Sequence, residues 1–228
     1  MIKYIESTIF NTDAEALVNT VNCVGVMGAG IALEFKLRYP EMFAQYKADC
    51  DKGIYKVGKV RYFDCGDVKI INFPTKWHFK YPSKLRYIEE GLQNFCNTYR
   101  NNGIKKVAFP KLGSNNGGLD WNEVKALMEK YLEPIDAEVY VCLDTLGKAQ
   151  GVEKEMLEMF NSATEAELKQ IVRLTQHQIV NINENKPYKR FWMIRETKTI
   201  GEKTYSKLFD YFYRSSINCE SIEEQLHF

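Results

Sequence analysis

Short runs of β-branched and aromatic residues alternate along this chain with stretches whose apolar residues return every three or four positions. The first kind recurs at Ile2–Ile5, Ala16–Val21, Val57–Phe63, Val68–Phe73, Lys105–Phe109 and Glu138–Leu143, and each run predicts a strand. The second kind predicts helices over Gly30–Arg38, Glu41–Lys52, Ser83–Arg100 and Trp121–Leu132. In the third of these, Leu85, Ile88, Leu92, Phe95 and Tyr99 fall on one face. Ser83, directly after Pro82, stands where an N-cap belongs. Strands mixed with helices over residues 1–145 predict a layered α/β domain.

After Thr145 the pattern changes. Helical stretches are expected at Val152–Asn161 and Glu165–Val180, followed by the aromatic-rich segment KPYKRFWMIRE at 186–196. Lys203–Tyr213 then places Leu208, Tyr211 and Phe212 on one face. So many aromatic residues mark residues 146–228 as an ordered, mainly helical extension, whose role the sequence leaves open.

Composition narrows the classes. Thirty-one basic and 30 acidic residues give a net charge of +1, so no global field draws the chain to duplex nucleic acid. A nucleic-acid end or adduct stays open as a substrate. The six cysteines (Cys23, Cys50, Cys65, Cys96, Cys142, Cys219) form no CxxC pair and stand near no histidine cluster, which argues against a zinc site or a disulfide framework. The opening MIKYIESTIF is too short and too soon charged for a signal peptide, and no run of about 18 apolar residues exists to span a membrane. A cytoplasmic, monomeric protein with reduced thiols and no bound metal is expected.

Two glycine-rich loops carry the candidate chemistry. Asn22 follows a buried-type strand, and Met27, Gly28, Ala29 and Gly30 lead into the helix that begins with Ile31. Unpaired amides and a positive dipole end at such a helix start suit a pyrophosphate, although a tight turn needs glycines as well. The second loop, FPKLGSNNGGLDW at 109–121, also links a strand to a helix. Gly113, Ser114, Asn115, Asn116, Gly117 and Gly118 can wrap a phosphate with successive amides. Neither loop fits GxxxxGK[ST] or GxGxxG, which removes the nucleotide-hydrolase and dinucleotide signatures.

A third loop, NFPTKWHFKYPSK at 72–84, places Lys76 directly after a strand and beside Trp77 and His78. A lysine amine attacks carbon only when neutral, so it needs desolvation or a nearby cation to lower its pKa. Most loop lysines are simply solvated. His78 reads as a packing or surface residue rather than a base. Asp120 precedes Trp121 and is either the cap of the following helix or a general acid or base facing a ligand.

Together these loops resemble the macrodomain family, the α/β modules that bind ADP-ribose. ALVNTVNCVGVMGAGIALEFK matches the first substrate loop, INFPTK the lysine-bearing segment, and LGSNNGGLDW the phosphate loop, over residues 1 to about 145. The closest likeness is to the branch of DarG and the terminal ADP-ribose protein glycohydrolase. The resemblance implies a three-layer α/β/α fold with a mixed, about six-stranded sheet, and an ADP-ribosyl glycohydrolase that needs no cofactor. It implies that Asn22 contacts the distal ribose, and that Met27 through Ile31 and Gly113 through Gly118 embrace the diphosphate and that ribose. Lys76 then matches the lysine that attacks the anomeric carbon. Thr8, Ile9, Thr20 and Val21 complete the substrate-binding set. Thr8 stands where the family usually has an aspartate for the adenine amino group.

The eukaryotic protein glycohydrolase carries a catalytic aspartate in the second loop. Here a glycine takes that place, with Asp120 as the stand-in, which brings the chain nearer the DarG pattern. The implied substrate is thymidine-linked ADP-ribose on DNA, with free ADP-ribose as product and a cognate ADP-ribosyltransferase toxin as partner. Glutamate-linked ADP-ribose on protein, O-acetyl-ADP-ribose, or binding without cleavage are the competing readings. Residues 146–228 are shorter than DarG's C-terminal domain and do not resemble it.

Overall fold

The computed structural model describes residues 1–226, with side chains through residue 217. The chain forms two compact units, Met1–Thr145 and a second from Leu146 onward. In the first, strands β1 (Ile2–Ile5), β2 (Ala16–Val21), β3 (Arg61–Asp64), β4 (Lys69–Pro74), β5 (Lys106–Pro110) and β6 (Glu138–Cys142) make one sheet of order β1-β6-β5-β2-β4-β3. All neighbours run parallel except β3 and β4.

Side chains alternate across the sheet, so each strand feeds two cores. Val18, Phe73, Phe109 and Val141 pack on one face against α3 (Leu85–Thr98) and α4 (Trp121–Leu132), through Ile88, Leu92, Phe95, Val124 and Met128. Leu17, Val21, Ile70 and Ala108 point to the other face, against α1 (Gly30–Arg38) and α2 (Pro40–Asp51), through Phe35, Met42 and Tyr46. This is the expected three-layer α/β/α arrangement. Burial on both faces explains why Ala16–Val18 of β2 and Ile70–Ile71 of β4 are consecutive apolar residues rather than alternating ones.

The centre of the sheet holds one polar pair. Asn19 and Asn72 stand in register on β2 and β4, both fully buried, and the Asn19 Nδ2 donates to the Asn72 Oδ1 at 2.9 Å. The Asn72 amide donates in turn to the Tyr55 hydroxyl at 3.0 Å, so most of this polar cluster is satisfied internally.

Three of the differences from the sequence pattern have a cause in contacts made elsewhere in the fold. The strand expected from Val57 begins at Arg61, because Gly58 turns the chain at φ +72° against Glu90 and the Val60 amide donates to the Asn94 side chain instead of a ladder. Helix α3 starts at Leu85, so Ser83 is not its cap. Lys84 takes the N-cap position without a side-chain bond, and the Ser83 amide donates to the Gly117 carbonyl at 2.9 Å. The helix expected over Glu165–Val180 divides in two, since Arg173 adopts φ 55° and Thr175 caps a new helix with Gln178.

The second unit contains α5 (Val152–Ser162), α6 (Glu165–Val172), α7 (Gln176–Asn185), a 3-10 turn over Phe191–Glu196, and α8 (Glu202–Leu226). Its core is aromatic. Phe160 meets Phe212 edge-on at 5.3 Å and Phe191 meets Phe209 at 5.7 Å. The half-buried-to-buried ion pair of Arg190 and Glu153, at 3.0 Å, is completed by the Phe191 amide donating to the same carboxylate.

Cys23, Cys50, Cys65, Cys96 and Cys142 are free thiols, while the Cys219 side chain lies outside the described residues. Burial pushes the Cys23 and Cys142 thiols up to about 12, which makes them poor nucleophiles. Among the described residues no group of His, Cys, Asp and Glu has a metal-binding arrangement, and no helix is long and apolar enough to cross a membrane.

Candidate functional site

β5, β2 and β4 are adjacent and parallel, with Val21 in register beside Pro74, so their C-terminal ends share one edge of the sheet. The chain leaves β2 toward β4 and leaves β5 toward β6, so connections diverge between β2 and β5. In open α/β sheets a ligand crevice forms outside such a divergence. Three loops rise there: residues 22–29 after β2, 75–84 after β4, and 111–120 after β5.

Main-chain bonds tie the loops together. The Thr75 amide donates to Val21, and the Cys23 amide to Trp77, both at 3.0 Å. Ser83 reaches Gly117 as described above, and the Lys76 ammonium donates to the Asn116 carbonyl. Gly30, at φ +55°, lies so close to the second loop that a Cβ would stand 2.5 Å from the Asn116 side chain. The structure therefore brings Gly30, Lys76, Asn116 and Gly117 into one cluster.

Asn22 builds the first loop from within. Its Oδ1 accepts from the Val24 and Val26 amides at 3.0 and 3.3 Å, its Nδ2 donates to the Val26 carbonyl, and the buried Tyr46 hydroxyl donates to its carbonyl at 2.9 Å. The side chain expected at the ribose is thus occupied in turning the loop and is only 6% exposed. Met27 is also buried, with its thioether among the core residues, so only its main chain is available to the site. Ala29 and Gly30 are exposed, and Ile31 and Gly28 are half-buried. No side chain caps α1, so its first-turn amides stay open to an anion.

The second loop is closed by the Leu119 amide donating to Gly113 at 3.1 Å and the Gly118 amide to Ser114 at 3.2 Å. Gly113 and Gly117 are buried, Ser114 is half-buried, and Asn115, Asn116 and Gly118 are exposed. Lys76 is half-buried, and that burial lowers its pKa. Thr20 is half-buried and Val21 buried on β2. Thr8 precedes the 3-10 turn Ile9–Asn11, which packs against β2 and β5, and Ile9 is buried in the core.

Asp120 caps α4, accepting from the Asn122 and Glu123 amides at 2.9 and 3.2 Å. Asp120→Ala is therefore expected to cost about 1 kcal/mol of stability, read as a lower melting temperature. Two residues that shape these loops gave no sequence signal of that part. Tyr46 sits mid-helix, and Ser83 reads as a cap, yet its buried Oγ lacks a hydrogen-bond partner beside Gly117. A separate cavity of about 570 Å³ in the second unit, lined by Lys148, Lys154 and Tyr188 among others, involves none of the three loops.

The Macro domain model matches residues 18–128. The DNA ADP-ribosyl glycohydrolase of Mycobacterium tuberculosis is 48% identical over 147 residues, covering 61% of this chain and 42% of that protein. The solved macrodomain of Mycobacterium tuberculosis DarG superposes with a TM-score of 0.57 at 48% identity, over 61% of this chain and 97% of that one. Thermosipho africanus DarTG in complex with ADP-ribose matches at 30% identity and TM-score 0.58, over 67% of this chain and 44% of that one. The chain spans less than half the length of the DNA ADP-ribosyl glycohydrolases from Mycobacterium and Thermus aquaticus that it matches. With the whole solved DarG macrodomain matched at this identity, and the three loops in place at the sheet edge, the chain belongs to the macrodomain family.

Proposed function

We propose that residues 1–145 form an ADP-ribosyl glycohydrolase that removes ADP-ribose from thymidine in DNA. The position of Lys76 carries this reading: a half-buried amine at the end of β4, bonded across to the phosphate-type loop. The diphosphate lies between the open amides of α1 and the Gly113–Gly118 loop, with the distal ribose turned toward Lys76. Asn22 acts by holding the first loop in shape. Asp120 acts as a helix cap.

In the reaction the neutral Lys76 amine attacks the anomeric carbon of that ribose. The new C–N bond forms as the bond to the base breaks, and its electron pair leaves with the base, which takes up the proton lost by the attacking nitrogen. The ribose ring of this adduct opens to a protonated imine, to whose carbon water adds, and collapse of that adduct releases ADP-ribose and regenerates the amine. No cofactor enters these steps. A lowered Lys76 pKa means the amine is neutral at a lower pH than in a solvated lysine. The rising limb of kcat/KM against pH is therefore expected below the ordinary lysine range, with activity lost as pH falls through it.

A transferase that attaches ADP-ribose to DNA is the class of reaction that supplies this substrate, and a cognate ADP-ribosyltransferase toxin is the partner it implies. The free thiols suit a reducing, cytoplasmic setting. The test compares kcat/KM on thymidine-linked, glutamate-linked and acetyl-linked ADP-ribose. The expected order puts the thymidine linkage first. Cleavage of glutamate linkages alone would move the substrate to protein, and ADP-ribose binding with no turnover would leave a binding module.

A further inference from the structure

We infer that Ser83 is a positioning residue of the Gly113–Gly118 loop, its hydroxyl a donor that the loop takes up when a diphosphate binds. This rests on the ADP-ribose reading above and adds what tightens the loop around the ligand. Ser83 is 5% exposed, and its Oγ is buried without a hydrogen-bond partner. Burying a hydroxyl bare costs free energy, so nearly all buried polar atoms are partnered. A bare one packed against a ligand loop marks a bond belonging to another state of that loop.

The neighbours name the bond. A Cβ placed on Gly117 would stand 2.5 Å from the Ser83 Oγ and 2.0 Å from the Gly113 carbonyl oxygen. Both oxygens therefore border one point, and the space there is too tight for a water. The Gly113 carbonyl accepts from the Leu119 amide at 3.1 Å, which leaves its second lone pair for another donor. A small inward turn of that carbonyl brings it onto the Ser83 hydroxyl.

Binding supplies the turn. The amides of Asn115, Asn116 and Gly117 make no main-chain bond, and Asn115 and Asn116 are exposed, so the outer side of the loop offers donors to a phosphate. In a trans peptide the N–H and C=O point opposite ways, so the Ser114 amide and the Gly113 carbonyl turn together. Drawing that amide outward to an anion turns the carbonyl inward, where Ser83 stands. Ser83 itself is held in place, because its amide donates to the Gly117 carbonyl at 2.9 Å and α3 begins two residues on. The hydroxyl thus rewards the closed loop and gives nothing to the open one.

The test uses the full chain, with melting curves in the presence and absence of ADP-ribose and calorimetric titration by the same ligand. Ser83→Ala is expected to melt at or above the parental temperature when free, since the hydroxyl it removes has no bond there. The same variant should bind ADP-ribose about fivefold more weakly, because the bond made on closure is gone. In turnover of thymidine-linked ADP-ribose the loss should fall on KM, with kcat unchanged. Ser83→Thr keeps the hydroxyl and should bind within about twofold of the parent. If its extra methyl lowers the melting temperature, Ser83→Cys replaces it, a weak donor of similar size whose affinity should lie between serine and alanine.

Parental affinity in Ser83→Ala overturns the inference. So does a free melting temperature that falls together with affinity, which makes the hydroxyl an ordinary fold contact. A well-folded Ser83→Thr or Ser83→Cys that binds as weakly as Ser83→Ala also rejects it. The binding arms need no turnover, so a parent that binds ADP-ribose but cleaves no adduct defeats the glycohydrolase reading and leaves the Ser83 result standing. A parent that binds no ADP-ribose rejects both.

Discussion

Lys76→Ala is expected to slow release of thymidine-linked ADP-ribose by about a thousandfold or more while leaving ADP-ribose affinity within about threefold. The separation of the two effects follows from position. The amine lies at the end of β4 and donates to the Asn116 carbonyl, while the amides proposed for the diphosphate belong to α1 and to the Gly113–Gly118 loop. Removing the amine deletes the proposed nucleophile and leaves those amides where they are. Lys76→Arg sharpens the point, because it keeps a cation and a donor but has no deprotonated form near neutral pH. Single-turnover kinetics beside calorimetric titration with ADP-ribose read the two quantities separately. A Lys76→Ala variant that cleaves at the parental rate removes the lysine from the mechanism.

Gly117→Ala is expected to weaken ADP-ribose binding by about thirtyfold, or about 2 kcal/mol, through the loop rather than through any lost contact. A Cβ at Gly117 would stand 2.0 Å from the Gly113 carbonyl oxygen and 2.5 Å from the Ser83 Oγ. The serine can rotate, but the carbonyl is backbone, so the loop itself must move. That movement strains the Ser83–Gly117 bond and shifts Asn116, which holds the Lys76 ammonium. Gly118→Ala makes the contrast: at φ +76° it is strained by about 1 kcal/mol, yet nothing lies within 4 Å of its Cβ. Titration of both variants with ADP-ribose, beside their melting curves, should show the larger binding loss at Gly117. Equal losses would mean that the close approach to Gly113 does not shape the site.

The sheet and its two helical layers were legible because their signals are local and repeated. β2, with its apolar run, and α4, with its capped 3.6-residue pattern, begin and end where the sequence puts them. Three misread boundaries depend on contacts that periodicity does not carry. Val57 looks strand-forming, but Gly58 turns against Glu90 from a helix distant in sequence. Ser83 looks like a cap, but its amide belongs to the second glycine loop. The apolar spacing continues through Arg173, and only the αL backbone there and the capping box at Thr175 reveal the break.

The site was legible to the level of which loops meet, since glycines and a lysine after strands are visible one segment at a time. Their meeting follows from the strand order, which places β2 between β5 and β4. What each side chain does was less visible. Asn22 precedes a glycine loop like a ligand residue, yet its amide is taken up by Val24 and Val26. Asp120 reads as a cap or a catalyst by sequence, and its Oδ1 accepts from two backbone amides as a cap does.

The most direct measurement quenches a single turnover of the thymidine-linked oligonucleotide with borohydride and maps the peptides by mass. The predicted result is ADP-ribose fixed to Lys76, with its yield rising and falling ahead of free ADP-ribose. ADP-ribose released at the parental rate by both the parent and Lys76→Ala, with Lys76 unmodified at every quench time, would contradict it.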